Sequence, residues 1–400
     1  MDPKKVQKLR LARVVTSSLT FSTLLYDQIA AIRESGIELT LVSGDVKELS
    51  AIAARQRVAY QPIPMVRQPS PGRDMASLLR LSRFLAASEF DIIHSSTPKA
   101  GLLSALAGAI CSVPIRLHTF TGQRWVTMSG VMRWMLHSFD HIIGRLSTRT
   151  YADSFSQMRF LVDEKIVSRA KISVLATGSI SGVNLCRFDP RHYGPDHRSV
   201  MRARLNIPQH ATVIVFVGRV TRDKGVAELV DAFVELADES STLYLLLVGP
   251  FEPELDPLPQ RTRASIESDA RIQQVGFHTK PEEYLAMADI FCLPSYREGF
   301  GTVVIEAGAM GLPTVATSVT GLVDAVRDGE TGLLVPARDA KALRAALQAL
   351  VESVDLRGRM GRAARVRAVR EFDAKLVNQA VIDEYFRLSG SRHAEPCSEQ

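Results

Sequence analysis

The sequence predicts an α/β protein made of two doubly wound parallel-sheet domains, and three observations carry that expectation. Its 400 residues are too many for one ordinary core and suit two domains of about 180 residues each. The chain opens as strand, helix and strand with short connections, the start of a parallel sheet. The same alternation restarts near Ala211, where an apolar strand runs into a glycine-bounded loop and then a helix.

In order, residues 11–17 are expected as the first strand, 20–35 as an amphipathic helix stopped by Gly36, and 37–43 as the second strand. A helix over 74–88 leads to a strand at 91–94. A small-residue stretch leads to another at 115–118, which His118 is expected to end. Strands at 150–155 and 171–177 close the first sheet. The run GSISGVNLCRFDPRHYGPDHRS, rich in Gly, Ser and Pro, is the linker. Beyond it, 211–217, 243–248 and 289–294 are strands, with helices from Val226 and from Thr302. Gly311 and Pro313 stop the latter. Residues 340–350, 357–372 and 372–386 are terminal helices, and the polar tail 391–400 is expected to be disordered.

Composition narrows the class. With 46% hydrophobic and 23% charged residues the chain is ordinary for a globular protein. No apolar run approaches the ~18 residues needed to cross a bilayer. The first residues carry charge but no apolar core, so a secretory signal is not expected. Four scattered cysteines, with no CxxC pair, point to a reducing cytosol and to neither metal nor disulfide.

Charge is uneven: residues 1–188 hold 24 Lys/Arg against 13 Asp/Glu, and the remainder 25 against 30. A basic first half suits an anionic partner. No nucleic acid is expected, because no helix-turn-helix, zinc-finger or aromatic RNA-binding pattern accompanies the charge. An anionic membrane surface fits better. Residues 123–149 hold both tryptophans, Trp125 and Trp134, with Met128, Val131, Met132, Met135 and Leu136 at helical spacing and Arg124, Arg133, Arg145 and Arg149 alongside. Such a stretch is either an interfacial helix or one packed on the sheet. Lys4, Lys5, Lys8, Arg10 and Arg13 would add roughly 1 kcal/mol each if close to anionic lipid.

Two stretches carry the chemistry. In the first, Glu298 and Glu306 stand eight residues apart across Gly299-Phe300-Gly301. Glu298 belongs to the loop at a strand's C-terminal end, and Glu306 lies a turn inside the next helix. The glycines admit a ligand close to backbone N–H groups, and the helix N-terminus at Thr302 favours an anion. The second stretch, Gly218-Arg219-Val220-Thr221-Arg222-Asp223-Lys224-Gly225, is a basic loop before a helix, an anion site in which Arg219 forks and Lys224 is a point charge. Together they suit a phosphate-bearing, hydroxyl-rich ligand. In the first half, Ser18 is either a helix N-cap or a hydroxyl that meets a sugar-like ligand. Lys99, at a helix start, either meets a phosphate or is simply exposed.

The stretch Glu298-Gly299-Phe300-Gly301, Glu306, Gly311-Leu312-Pro313 and Gly329 to Val335 resembles the donor-site motif of the retaining glycosyltransferases of family 4, which have the GT-B fold. The loop Gly218–Gly225 resembles the same family's diphosphate loop, and Asn184 stands where that family usually has Asp. The string from Asp91 to Gly122 is similar to bacterial members that extend lipid-linked or surface polysaccharides, commonly with N-acetylhexosamines. The family usually has histidines where this chain has Ser96 and Thr121.

The resemblance implies an α/β GT-B protein, two Rossmann-like domains with parallel sheets facing a central cleft. Residues 1–185 would bind the acceptor, 186–375 the nucleotide sugar, and 376–390 would cross back to the first domain. It implies catalytic roles for His118, Glu298, Arg219 and Lys224. Donor binding would fall to Gly218, Arg219, Lys224, Glu298, Gly299, Phe300, Gly301, Thr302 and Glu306, with Glu306 on the ribose. Acceptor binding would fall to Ser18, Lys99, His118 and Arg124. The donor is expected to be UDP-linked and the acceptor a lipid-linked saccharide. No cofactor or metal is expected, since the chain has no Asp-x-Asp pair. The site would be cytoplasmic, on the inner face of the membrane. Competing readings are a GT-B nucleotide-sugar epimerase and a non-catalytic, membrane-docked nucleotide-sugar-binding protein.

Overall fold

The computed structural model describes residues 8–390, so Lys4, Lys5 and the tail 391–400 lie outside the described residues. The chain forms two compact units. The first takes 8–121, 128–181 and 374–390, and the second takes 122–127 and 182–373.

In the first unit, strands β1 (Arg10–Val14), β2 (Glu38–Ser43), β3 (Ala59–Pro62), β4 (Ile92–Ser95), β5 (Ile115–Phe120), β6 (Arg149–Ala152) and β7 (Ile172–Ser173) make a parallel sheet in the order β3-β2-β1-β4-β5-β6-β7. Helices cover both faces, so the central strands are buried on both sides. The C-terminal helix Ala374–Ser389 packs on the helix Tyr26–Glu34 and gives Val381, Ile382 and Tyr385 to a core with Leu11, Ile29 and Ile92.

The second unit repeats the plan. Strands β8 (Thr212–Val217), β9 (Leu243–Val248), β10 (Ile272–Gly276), β11 (Ile290–Leu293), β12 (Thr314–Thr317) and β13 (Gly332–Val335) are parallel in the order β10-β9-β8-β11-β12-β13. Strand order reverses between β1 and β4 in one sheet and between β8 and β11 in the other. Such reversals open a crevice at the strands' C-terminal ends.

Several local expectations are corrected. The helix expected over 20–35 breaks into Leu19–Thr23 and Tyr26–Glu34 before Gly36 turns left-handed at φ 86°. Strand β5 continues through Thr119 to Phe120, so His118 lies inside the strand and does not end it. β7 is two residues long, and Ala176 beyond it has φ 49°. The helix Val46–Gln56, capped by the Asp45 carboxylate on the Glu48 N–H at 3.3 Å, had no counterpart in the expected elements.

The stretch 123–149 divides. A short 3₁₀ turn, Arg124–Thr127, packs with the second unit, and the helix Gly130–Leu146 belongs to the first. Trp125 is 2% exposed and Trp134 is 70% exposed, so one tryptophan is interior and the other faces out. Arg13, expected near lipid, is buried inside the first sheet, where its guanidinium donates to the His94 carbonyl and to Gln28 Oε1.

Candidate active site

The loops carrying both sequence motifs follow β8 and β11, the two strands flanking the reversal in the second sheet. Glycine lets them touch: a Cβ on Gly225, at φ 70°, would lie 1.9 Å from the Pro294 carbonyl oxygen. The Tyr296 N–H donates to the Asp223 carbonyl at 2.9 Å, and Arg297 Nη2 reaches Asp223 Oδ2 at 2.7 Å. This packing brings Lys224 onto Glu298, whose Oε1 accepts from both Lys224 Nζ and Ser295 Oγ.

Arg219 extends from the same loop to Glu252 Oε2 at 2.6 Å, with Asp223 Oδ2 3.8 Å away. Burial opposes its charge, but the bond to Glu252 and the nearby carboxylates of Asp223 and Glu298 outweigh it and raise its pKa. Asp223 is likewise part-buried, yet Arg297, Thr221, Arg219 and Lys224 hold its carboxyl down to about 2.

Gly301, left-handed at φ 85°, ends the loop and starts the helix Thr302–Ala309. The left-handed backbone favours glycine there, and a Cβ would also meet Leu322 Cδ2 at 2.6 Å. Phe300 is buried against Phe372, with ring centroids 5.1 Å apart, and anchors the loop from beneath. Thr302 opens the helix and Glu306 follows one turn on. Burial raises the Glu306 carboxyl to about 7, with Arg187 opposing and Glu282 adding to the rise. Arg187 donates to Glu282 Oε2 at 2.6 Å. Asn184 Oδ1 turns the chain toward Arg187 by accepting from the N–H groups of Cys186 and Arg187, a task that a side-chain amide does as well as a carboxylate.

The acceptor candidates are differently placed. Ser18 is fully buried and stands at the N-cap position of Leu19–Thr23, but its hydroxyl goes to Ser43 Oγ and the Asp45 carbonyl and makes no cap bond. Lys99 donates to Asp74 Oδ1 at 2.6 Å and to the Gln68 carbonyl, so it is not a free surface lysine. Arg124 packs with the second unit. His118 is buried on β5, with Nδ1 2.9 Å from Ser95 Oγ and its ring edge-on to Phe120. Burial first, and Arg13 second, hold its pKa down to about 3, so it is a neutral and weakly basic imidazole.

Glu252, Asp256, Arg297, Arg187 and Glu282 escaped the sequence reading. Glu252, Asp256 and Glu282 have no motif of their own, and all five matter through side chains brought from distant loops. The signals available were the acidic run Glu252-Pro253-Glu254-Leu255-Asp256, the place of Arg297 directly before Glu298 and that of Arg187 three residues after Asn184. Among the described residues no three metal-ligating side chains converge, and no helix is long and apolar enough to cross a membrane.

Two doubly wound parallel units, with a basic loop and a glutamate-bearing helix start at one reversal point, define a GT-B glycosyltransferase. Residues 22–178 match the glycosyl transferase 4-like domain and residues 197–367 match the glycosyl transferases group 1 family. The chain is 29% identical to the capsular polysaccharide biosynthesis glycosyltransferase CapM of Staphylococcus aureus, over 88% of this chain and 91% of that one. It is 31% identical to the phosphatidyl-myo-inositol mannosyltransferase of Mycobacterium leprae, over 78% of this chain and 77% of that one. The Anabaena protein Alr3699/HepE, solved with UDP and glucose, superposes with a TM-score of 0.78 at 17% identity, covering 94% of this chain and 99% of the other. The chain belongs to the family 4 glycosyltransferases and is an enzyme of that class.

Proposed function

We propose that this enzyme transfers a hexosyl or N-acetylhexosaminyl group from a UDP-sugar to a lipid-linked saccharide during assembly of a bacterial surface polysaccharide, with retention of anomeric configuration. The observation that carries the donor half is the meeting of Arg219, Lys224 and Glu298 beside the N-terminus of the helix Thr302–Ala309. A capsular polysaccharide enzyme among the relatives and a fold neighbour solved with UDP support the substrate classes.

In the reaction the bond between the anomeric carbon and the diphosphate oxygen breaks, and the acceptor hydroxyl oxygen bonds to that carbon as its proton leaves. Charge builds on the departing diphosphate. Arg219, Lys224 and the first free N–H groups of the helix supply fixed positive potential there, worth about 10²–10³ in rate for a single donor. Glu298, oriented by Ser295 and Lys224, accepts from a donor-sugar hydroxyl, and Glu306 accepts from the ribose. His118, neutral and held by Ser95, shapes the sugar pocket as a hydrogen-bonding group. Its low basicity makes it a poor acceptor for the departing proton.

Docking on the inner membrane face is supported by two helices of the first unit. The helix Pro71–Ala86 exposes Met75 and Leu79 with Arg73, Arg80 and Arg83, and the helix Gly130–Leu146 exposes Val131, Met132 and Trp134 with Arg133. Apolar residues beside arginines suit anionic lipid.

Incubation with UDP-N-acetylglucosamine, UDP-N-acetylgalactosamine or UDP-glucose and a polyprenyl-diphosphate-linked saccharide tests the reading. An α-linked product from the α-linked donor supports it. Inversion, or epimerised nucleotide sugar formed without acceptor, contradicts it.

A further inference from the structure

The basic loop after β8 is covered by an acidic one after β9. A Cβ on Gly249 would lie 1.7 Å from the Gly218 carbonyl oxygen, and the Val220 N–H donates to the Pro250 carbonyl at 2.8 Å. Val220 and Phe251 then pair as a parallel bridge. That register fixes which side chains meet. Glu252 reaches Arg219, while Asp256 accepts the Asp223 N–H at 2.6 Å and stands 3.5 Å from Arg222.

Carboxylates therefore occupy both a guanidinium and a backbone N–H of the loop read above as the diphosphate cradle. Arg219, Arg222, Lys224 and Arg297 face Asp223, Glu252, Asp256 and Glu298, so the charges balance before any ligand arrives. Adding a diphosphate to a balanced, part-buried cluster is costly unless an anion leaves. Asp223 is held by Thr221 and Arg297, Asp256 by a backbone N–H, and Glu298 by Ser295 and Lys224. Glu252 makes the shortest carboxylate contact to Arg219, 2.6 Å against 3.8 Å for Asp223, and the exposed Pro253, Glu254 and Leu255 follow it directly.

We propose that Glu252 is a built-in counter-carboxylate for Arg219. Donor binding exchanges it for a phosphate oxygen, and Glu252 thereby sets the enzyme's affinity for nucleoside diphosphates. The inference rests on the donor-site reading above and adds to it a residue that weakens ground-state binding.

Calorimetric titration of UDP into the wild type, Glu252→Gln and Glu254→Gln tests this. Glu252→Gln is expected to bind UDP about two- to fivefold more tightly, the range of a part-exposed ion pair. Glu254→Gln, which removes the same charge two residues away, is expected to match the wild type. Glu252→Asp, one methylene shorter, should fall between, and it keeps the test decisive if the amide variant folds poorly. Equal or weaker binding by Glu252→Gln overturns the exchange and makes Glu252 a bystander or a support for Arg219. If the wild type binds none of UDP, GDP and ADP, the donor-site reading itself falls and takes the exchange with it.

Discussion

Lys224 and Glu298, 74 residues apart in the chain, share one ion pair at the reversal point of the second sheet. The pair joins a residue suited to the leaving diphosphate with one suited to the transferred sugar. Lys224→Met removes the point charge and leaves Glu298 without its cation. The expected result is a loss of about 10²–10³ in kcat/KM. Steady-state kinetics against wild type checks it, and an unchanged kcat/KM would remove Lys224 from the leaving-group role.

Glu306 gives the enzyme a pH signature. Its carboxyl is raised from 4.5 to about 7 in the fold. The folded state therefore holds a proton that the unfolded chain releases. This contribution to stability is complete below pH ~4.5 and is lost as pH rises to ~7, roughly 3 kcal/mol at most. Glu306→Gln should flatten that decline in urea unfolding followed between pH 5 and 8. An ionised carboxylate accepts from ribose hydroxyls through both oxygens and more strongly than the neutral acid, so affinity for UDP-N-acetylglucosamine should rise through pH 7 in the wild type and stay flat in the variant. Parallel profiles in both proteins would contradict this.

His118 depends on a glycine from another element. A Cβ on Gly101, in the helix Pro98–Ile110, would lie 2.5 Å from His118 Cε1 and 2.8 Å from Nδ1. Gly101→Ala must push the imidazole off Ser95 or shift the helix, costing about 1–3 kcal/mol. Denaturant unfolding checks the stability. Transfer kinetics should show kcat falling while UDP affinity holds, because His118 belongs to the first unit and the proposed diphosphate loop to the second.

The two tryptophans separate packing from membrane contact. Trp125→Ala opens a cavity and is expected to destabilise the protein by about 3–5 kcal/mol. Trp134→Ala should change stability by less than about 0.5 kcal/mol, yet weaken binding to vesicles containing anionic lipid. Sedimentation with such vesicles reads the second effect, and undiminished binding would remove Trp134 from the membrane face.

The donor half was legible because its information is local. Arg219 to Gly225 and Glu298 to Glu306 each lie within one strand–loop–helix unit, where glycine positions and helix starts show in the residue order. The acceptor half was less legible because burial there is set from a distance. Two further residues, Thr119 and Phe120, extend β5 and turn a supposed strand-end histidine into an interior one. Arg13 looked like surface charge and is instead held by Gln28 and His94. Lys99 looked available and is paired with Asp74, 25 residues away. Glu252 belongs to the site only because Val220 and Phe251 come into register.

The central claim is that the loop after β8 binds the diphosphate of a nucleotide sugar, and thermal unfolding of the purified protein with UDP, GDP or ADP tests it most directly. A ligand of the folded state at a hundred times its Kd stabilises by about 2.7 kcal/mol. A rise in Tm largest with UDP, and abolished in Arg219→Ala, is the expected result. No rise with any of the three nucleotides, or an equal rise in Arg219→Ala, would contradict it.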